Sequence, residues 1–439
     1  MNKKFLVILS LLVLASFVLV ACAPAATEAP PVEESPAEEP PAEEAPAAFE
    51  CTDEIGCVEL APGDPVHIAS MLTISGATAF LGEDSQGAIE IAIDDRGGQL
   101  LGRDIQYSSE DSGCSAEGGQ TAATKVASDP TILGVIGTNC SSAMTAAMDT
   151  ISSAGLSMLS PSNTAPALTL EGEGGTYKPG YFRICHTDLF QGSVAAEFFY
   201  NELGATTLAT IHDGSPYADQ LQEVASGRFQ ELGGEITFQG AVNVGDTDMR
   251  TVLTSVAADS PDVLYFPIFE PEGPFIVAQS SEIAGLENTT LFGADGLYVD
   301  SYPENSGPNV VGSYLSGPFV SGASYDEFLA KWETKFSGVP PSGFHAFAYD
   351  GTNILFDAIE AVAVTDADGT TYVGRQAVRD AIKATTGYAG LTGQLDCSDK
   401  QFGDLLSKAD CATGEALAVF EISQAEVDGN WPPEAVYTP

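Results

Sequence analysis

From about residue 66 onward, the chain alternates between two kinds of hydrophobic pattern. Short apolar runs, as at 66–74, 207–212 and 263–269, are followed by longer stretches whose apolar residues recur at helical spacing, as at 219–232. Short apolar runs bounded by Gly or Pro are typical of buried strands, and helical spacing is typical of amphipathic helices. The alternation therefore predicts an α/β fold with parallel strands.

The two halves of this region have similar patterning, which predicts two Rossmann-like α/β lobes. Ligands of open parallel sheets bind in loops beyond the carboxyl ends of the strands. A pocket is also common where two lobes face each other. We therefore expect the functional residues to lie in loops along an interlobe cleft.

One such loop carries hydroxyl groups at the start of a predicted helix. GTNCSSAM (137–144) follows the apolar run 132–136 and precedes a helix predicted at 142–154. The backbone N–H groups at the N-terminus of a helix favour a carboxylate or another small anion. Ser141 is the first candidate for this contact, with an ordinary helix cap as the alternative interpretation.

Two later loops also carry side chains that could bind a small ligand. SPSNTAPALT (160–169) follows a strand predicted at 156–159 and is again rich in hydroxyl groups, and YFRICHTDLFQG (181–192) places Asp188 just past a third apolar run. Loops suited to an anion, with a carboxylate nearby, indicate a zwitterionic ligand.

The order and spacing of several segments resemble the branched-chain amino-acid-binding proteins, the Leu/Ile/Val type of periplasmic binding protein. The resemblance runs from about His67 to the C-terminus. The segments that carry it, besides 137–188, are TISGATAFLGEDSQGAIEIAIDD (73–95), RGGQLLGRDIQ (96–106), VGDTDMRTVLTSVAADSPDVLYF (244–266), FGADG (292–296) and FHAFAYDGTNILFDAIEA (344–361).

The resemblance implies a type I periplasmic-binding-protein fold whose chain crosses between the lobes three times. The crossings are expected near 183–186, 314–319 and 413–417. The first lobe would then comprise 51–184 and 318–414, and the second 185–317 and 415–439. In this family a solute bridges both lobes, closes them, and is delivered to an ABC-importer permease in the membrane.

The resemblance also implies the ligand contacts. Ser141, Thr164 and the backbone of Ser162 would bind a ligand carboxylate. An ammonium would meet Asp295, with Asp188 as a second candidate and Glu270 as a third. The apolar walls would come from Phe80 or Leu81, Tyr217 and Phe269, which favours an aliphatic amino acid over the alternative, urea or a short amide.

The first fifty residues are predicted to lie outside the fold. Lys3 and Lys4 precede an apolar stretch (5–20) that ends at Cys22, a pattern typical of a lipoprotein signal peptide (1–21) with lipid attached to Cys22. A retained anchor helix is the alternative. Residues 23–50 are almost entirely Ala, Pro and Glu, so we expect a disordered tether.

The cysteine count indicates an oxidising compartment. With Cys22 assigned to lipid, seven of the eight cysteines remain. Close spacing predicts disulfides Cys51–Cys57 and Cys397–Cys411, and the resemblance implies Cys114–Cys140 beside the loop that carries Ser141. Cys185 would then be a buried free thiol within a strand. The spacings match no zinc pattern, so neither a metal nor a cofactor is expected.

Charge and missing motifs exclude several functions. The formal net charge is −46, with 62 acidic and 16 basic residues, which disfavours nucleic acid as a partner. Motifs of metalloproteases, α/β-hydrolases and phosphate loops do not occur, so no enzyme is expected. A monomeric, lipid-anchored binding protein is the leading hypothesis, and a ligand-sensing co-receptor is the alternative.

Overall fold

The computed structural model describes residues 49–414 and 416–439. The predicted signal peptide, Cys22 and nearly all of the tether lie outside these ranges. The strands, numbered β1 to β20 in chain order, are Cys57–Leu60, Val66–Leu72, Gln99–Leu100, Arg103–Asp111, Ile132–Gly137, Met158–Ser160, Tyr181–Arg183, Thr207–His212, Glu235–Ala241, Val263–Tyr265, Thr290–Gly293, Tyr314–Pro318, Val364–Thr365, Thr371–Gly374, Tyr388–Gly390, Gly393–Leu395, Lys400–Phe402, Leu405–Ser407, Leu417–Glu421 and Ala435–Tyr437.

The helices lie mainly between these strands, as the alternating pattern predicts. In chain order, α1 to α12 are Phe80–Asp95, Ala116–Ser128, Ser141–Ser153, Asp188–Glu197, Pro216–Leu232, Arg250–Val256, Glu272–Ser280, Ser301–Ser306, Ala323–Phe336, His345–Val362, Arg375–Lys383 and Gln424–Val427. A π-helical turn, Phe198–Glu202, continues α4. In the described residues no helix is both long and apolar enough to cross a membrane.

The first sheet has the strand order β3-β4-β2-β5-β6-β7. Its strands are parallel except for the short β3, which pairs antiparallel with β4. Every residue of β2 and β5 is buried, which explains why both read as continuous apolar runs. Helix α10 packs against β5 and β6 and contacts α1 and α11, so it belongs to the core of the first lobe.

The second sheet has the order β20-β19-β12-β11-β10-β8-β9. Strands β8 to β12 are parallel, and the late strands β19 and β20 add an antiparallel edge. Each sheet has its own buried apolar cluster. The predicted α/β fold with two lobes built on central parallel sheets is therefore confirmed.

A buried ion pair links the end of β7 to a segment late in the chain. The Arg183 guanidinium donates to the Asp410 carboxylate and to the backbone oxygens of Thr164 and Ala165, and it is completely buried. Burial opposes ionisation of Asp410, but the Arg183 charge outweighs it and holds the pKa of that carboxyl below its ordinary value. Arg183 therefore ties the loop after β6 to the 400–411 segment.

Three disulfides join the pairs expected from the sequence: Cys51–Cys57, Cys114–Cys140 and Cys397–Cys411. Cys185 is buried and free, but it lies beyond β7 rather than within a strand. One helix boundary also differs from expectation, because the helix expected at 219–232 is longer. Helix α5 begins at Pro216 because the Ser215 hydroxyl caps it and proline suits the first helical position.

Candidate functional site

A small cavity lies between the two lobes, where loops from both sheets meet. The first lobe contributes the loops after β2, β5 and β6, and the second contributes the start of α5 and the segments after β10 and β11. The lining residues are Leu81, Asn139, Cys140, Ser141, Ser162, Tyr217, Phe269, Asp295, Gly296 and Phe344. This is the position beyond the carboxyl ends of parallel strands that the fold predicts for a ligand.

On the first-lobe side, the N-terminus of α3 faces the cavity. Cys140 is the extended residue before the helix and is held by its disulfide to Cys114. Ser141 begins the helix, lines the cavity, and its hydroxyl accepts from the Ala165 N–H at 3.3 Å. The first N–H groups of a helix have no acceptor within it, so this end can bind a carboxylate.

Asn139 organises these loops, although the sequence did not single it out. Its side-chain oxygen accepts from the Thr73 N–H at 2.9 Å, and its amide nitrogen donates to the Leu81 carbonyl and to the hydroxyls of Ser85 and Ser162. The amide thus holds the loops after β2, β5 and β6 in one arrangement. An asparagine beside cysteine and serine in a loop gives no local signal of this role, because its partners are remote in sequence.

On the second-lobe side, Asp295 is the central polar residue. It follows β11, and one of its carboxylate oxygens accepts from the Tyr217 hydroxyl at 2.9 Å and from the Gln191 amide at 2.6 Å. The same Gln191 nitrogen donates to the carbonyl and hydroxyl oxygens of Ser316. Burial raises the pKa of Asp295 to about 6. Gln191 is a further positioning residue that the sequence pattern did not indicate.

Asp188 lies near Asp295 but is bonded differently. It is fully buried at the first position of α4, and neither of its carboxylate oxygens has a hydrogen-bond partner among residues 49–414 and 416–439. Burial, and then the charge of Asp295, raise the pKa of Asp188 well above its ordinary value. A buried, unpaired carboxylate is costly and favours a cationic partner.

The apolar wall comes from both lobes. The rings of Tyr217 and Phe269 lie 5.0 Å apart between centroids, and Leu81 and Phe344 complete the lining. Phe344 lies in a segment that carries the family resemblance, but it was not predicted to be a site residue. Tyr217 is in the first turn of α5, not in the expected loop.

Four predicted residues do not line the cavity: Asp188, described above, and Phe80, Thr164 and Glu270. Phe80 is half-buried and packs against the cores of both lobes, and the neighbouring Leu81 provides the wall. Thr164 is buried behind the cavity, where its carbonyl accepts from the Asp188 N–H. The Glu270 carboxylate is directed away, toward the hydroxyl of Ser301 at 2.8 Å and the amide of Asn305.

Comparisons with known proteins agree with this architecture. The profile of the periplasmic binding protein family matches residues 65–407. A Leu/Ile/Val-binding protein homolog from Brucella suis is 26% identical over 75% of this chain and 85% of its own length. The chain therefore belongs to the periplasmic binding protein family. It is an extracytoplasmic solute-binding protein and not an enzyme.

Solved structures show the same fold at lower identity. A leucine-binding protein from Thermotoga maritima has a TM-score of 0.72 at 23% identity, covering 85% of this chain and 99% of that one. A solute-binding protein from R. palustris in complex with benzoate has a TM-score of 0.68 at 18% identity, covering 85% and 97%. At these identities the likeness supports the fold alone.

Proposed function

We propose that this protein binds an α-amino acid with an aliphatic side chain in the interlobe cavity and delivers it to an ABC permease. The observation that carries this proposal is the opposite polarity of the two sides. The first lobe offers helix N–H groups and the Ser141 hydroxyl, whereas the second offers the carboxylate of Asp295. An α-carboxylate and an α-ammonium match these two sides.

The side-chain pocket supports an apolar ligand. Leu81, Phe269 and Phe344 carry no polar side-chain group, and Glu270 is engaged by Ser301 and Asn305 outside the cavity. A cationic or strongly polar ligand side chain would lose its hydration without a partner in such a pocket. The relatives of this chain include a Leu/Ile/Val-binding protein homolog and a Leu/Ile/Val/Thr-binding protein, which supports the same ligand class.

Thermal melting of the full chain against a ligand panel tests this proposal. The panel contains leucine, isoleucine, valine, alanine, glutamate, arginine, urea, acetamide and benzoate. We expect the aliphatic amino acids to stabilise the fold, by about 2.7 kcal/mol at 100-fold excess over the dissociation constant. Ser141→Ala and Asp295→Ala should remove this response.

Glu270→Gln is the matched control, because it removes a buried acid outside the cavity and retains groups that can bond to Ser301 and Asn305. It should leave the leucine response intact. Stabilisation only by urea, acetamide or benzoate would retain a binding protein but refute the amino-acid ligand. No response to any compound would favour the co-receptor alternative.

We also propose that a lipid on Cys22 anchors the protein and that 23–50 is the tether. The sequence pattern at 1–22 supports this proposal. Cells supplied with a labelled fatty acid should incorporate the label into the wild-type chain, and Cys22→Ser should abolish incorporation. Labelling that persists in Cys22→Ser would refute the anchor at this residue.

A further inference from the structure

A buried contact between an acid and a histidine lies behind the apolar wall of the interlobe cavity. Asp84 belongs to α1 and is fully buried, and its carboxylate lies 2.9 Å from Nδ1 of His345, the first residue of α10. Neither residue lines the cavity. The contact joins two helices whose N-terminal ends supply residues to the cavity wall.

Two wall residues are immediate neighbours of this contact. Leu81 lies three positions before Asp84 in α1, so the two side chains lie on the same face of the helix. Phe344 directly precedes His345. Both Leu81 and Phe344 line the cavity. The separation of these two wall residues therefore depends on how α1 and α10 are held together.

Hydrogen bonds fix the geometry of this contact. Nδ1 of His345 also lies 2.9 Å from the Ser342 carbonyl, which can only accept, so Nδ1 carries a proton. The Ser342 N–H donates to the Asp84 carboxylate at 3.2 Å. The other ring nitrogen, Nε2, lies 2.7 Å from the Tyr325 hydroxyl. The imidazole and the loop before α10 are thus both tied to α1.

Net stability does not explain this contact. One oxygen of the Asp84 carboxylate has no hydrogen-bond partner among residues 49–414 and 416–439. Burial raises the pKa of this carboxyl above its ordinary value, although His345 opposes the rise. A buried acid of this kind contributes little to the free energy of unfolding, because the cost of removing it from water offsets the attraction of its partner. What the contact provides is a fixed position of α10 relative to α1.

We propose that Asp84 and His345 are positioning residues that set the width of the apolar side of the cavity, and therefore its selectivity for the size of the ligand side chain. They hold Leu81 and Phe344 close enough to enclose an aliphatic group and to disfavour a larger ring. This inference rests on the proposed amino-acid function, and it adds the residues that determine which amino acids fit.

Titration calorimetry of the full chain with leucine and phenylalanine tests this role, because the ratio of the two affinities measures selectivity. Asp84→Ala removes the carboxylate that ties α10 to α1. We expect the leucine-to-phenylalanine affinity ratio to fall at least about tenfold, the discrimination that a pocket makes for one methylene group. Asp84→Asn keeps an oxygen that can accept from His345 and Ser342, so it should retain the wild-type ratio.

His345→Phe tests the same contact from the other helix. It keeps an aromatic ring beside Phe328, whose centroid lies 5.6 Å from that of the imidazole, but it removes the hydrogen bond to Asp84. The affinity ratio should fall as it does in Asp84→Ala. The test therefore does not depend on the folding of a single variant.

Asp350→Ala is the matched control. Asp350 is also a buried acid of α10, but its carboxylate accepts from Leu391 and Thr392, which do not line the cavity. This variant should lower the thermal stability and keep the wild-type affinity ratio. An equal fall of the ratio in Asp350→Ala and Asp84→Ala would show that any loss of packing changes selectivity, and would overturn the proposal.

Two results distinguish this proposal from the proposed function. If the wild-type chain binds leucine but a folded Asp84→Ala or His345→Phe variant keeps the wild-type ratio, the positioning role is wrong and the amino-acid function stands. If the wild-type chain binds neither leucine nor phenylalanine, the amino-acid function is wrong, and the positioning role fails with it.

Discussion

Two buried acids near the cavity differ in their surroundings rather than in their chemistry. Asp295 accepts hydrogen bonds from Tyr217 and Gln191, which fix its orientation, whereas Asp188 accepts none among the described residues. The sequence predicts Asp295 as the stronger ammonium partner and Asp188 as the second candidate. Asp188 does not line the cavity, and its raised pKa favours the neutral acid, so Asp295 remains the stronger candidate for the ammonium.

Ligand affinity should depend on pH through these carboxylates. Burial raises the pKa of Asp295 to about 6, and an ammonium binds the ionised form. We expect leucine affinity to rise as the pH increases through about 6, with a limiting slope of about tenfold per pH unit below that pKa. Calorimetric titrations with leucine across this range measure the slope.

The stability of the ligand-free protein should respond with the opposite sign. Because the pKa of folded Asp295 is raised, its contribution to stability is fully present below the unfolded value of about 3.9 and is lost as the pH rises through about 6. Asp295→Asn is the control for both trends and should reduce the pH dependence. A leucine affinity that is the same on both sides of this range would contradict an ammonium contact.

At the scale of elements, the spacing of apolar residues predicted most of the strands and helices. Individual residues such as proline determine where some of them end. The predicted strand 132–136 is β5 (Ile132–Gly137), and the predicted helix 142–154 is α3 (Ser141–Ser153). The predicted strand 263–269 is shorter, because β10 ends at Tyr265, two residues before Pro267. Proline lacks the N–H that a central strand must donate.

The Arg183–Asp410 pair is the contact between elements whose loss should cost most. Asp410→Asn leaves the fully buried Arg183 charge without its counterion, which costs about 3–5 kcal/mol. The exposed pair Lys125–Glu110 is the matched control, and Glu110→Gln should cost at most about 1 kcal/mol. Urea unfolding of both variants at neutral pH measures the difference.

The pH dependence distinguishes this pair from the acids of the cavity. The pKa of Asp410 in the folded protein lies below its ordinary value. Its contribution to the stability of the fold is therefore present above the unfolded-state pKa and is lost as the pH falls through the lower, folded-state pKa. Wild-type stability should therefore fall in acid more steeply than that of Asp410→Asn. Similar losses in Asp410→Asn and Glu110→Gln would show that the buried pair is not a major stabilising contact.

At the scale of the whole molecule, the dominant electrostatic quantity is the net charge of −46. Like charges repel one another most in the compact state, and added salt screens that repulsion over a Debye length of about 10 Å at 0.1 M. We expect the Tm to rise with ionic strength. Each 1 kcal/mol of relieved repulsion raises the Tm by roughly 2–4 °C in domains of 150–250 residues.

Melting curves in sodium chloride and in tetramethylammonium chloride separate screening from specific ion binding. Screening depends on ionic strength alone, so both salts should raise the Tm equally at the same concentration. A rise with sodium only would instead indicate a bound cation. A Tm that is independent of salt would show that the acidic residues lie too far apart to destabilise the fold.

The sequence by itself determined the α/β class, the two largely parallel sheets and the disulfides Cys51–Cys57 and Cys397–Cys411, and the family resemblance implied Cys114–Cys140. Strand period and loop composition, which are local properties, also indicated the loop that leads to Ser141, whereas Asp295 was implied by the family resemblance. Glu270 and Phe80 were less predictable, because one position along a loop or at a helix start changes the direction of a side chain.

Only the tertiary structure decided which side chains meet. Asn139 bonds to Thr73 in the loop after β2, to Leu81 in α1 and to Ser162 in the loop after β6, and Gln191 reaches Asp295. The unpaired state of Asp188 is likewise a property of its burial, which composition cannot reveal. Such contacts depend on how the lobes and loops pack together, and hydrophobic period carries no information about that packing.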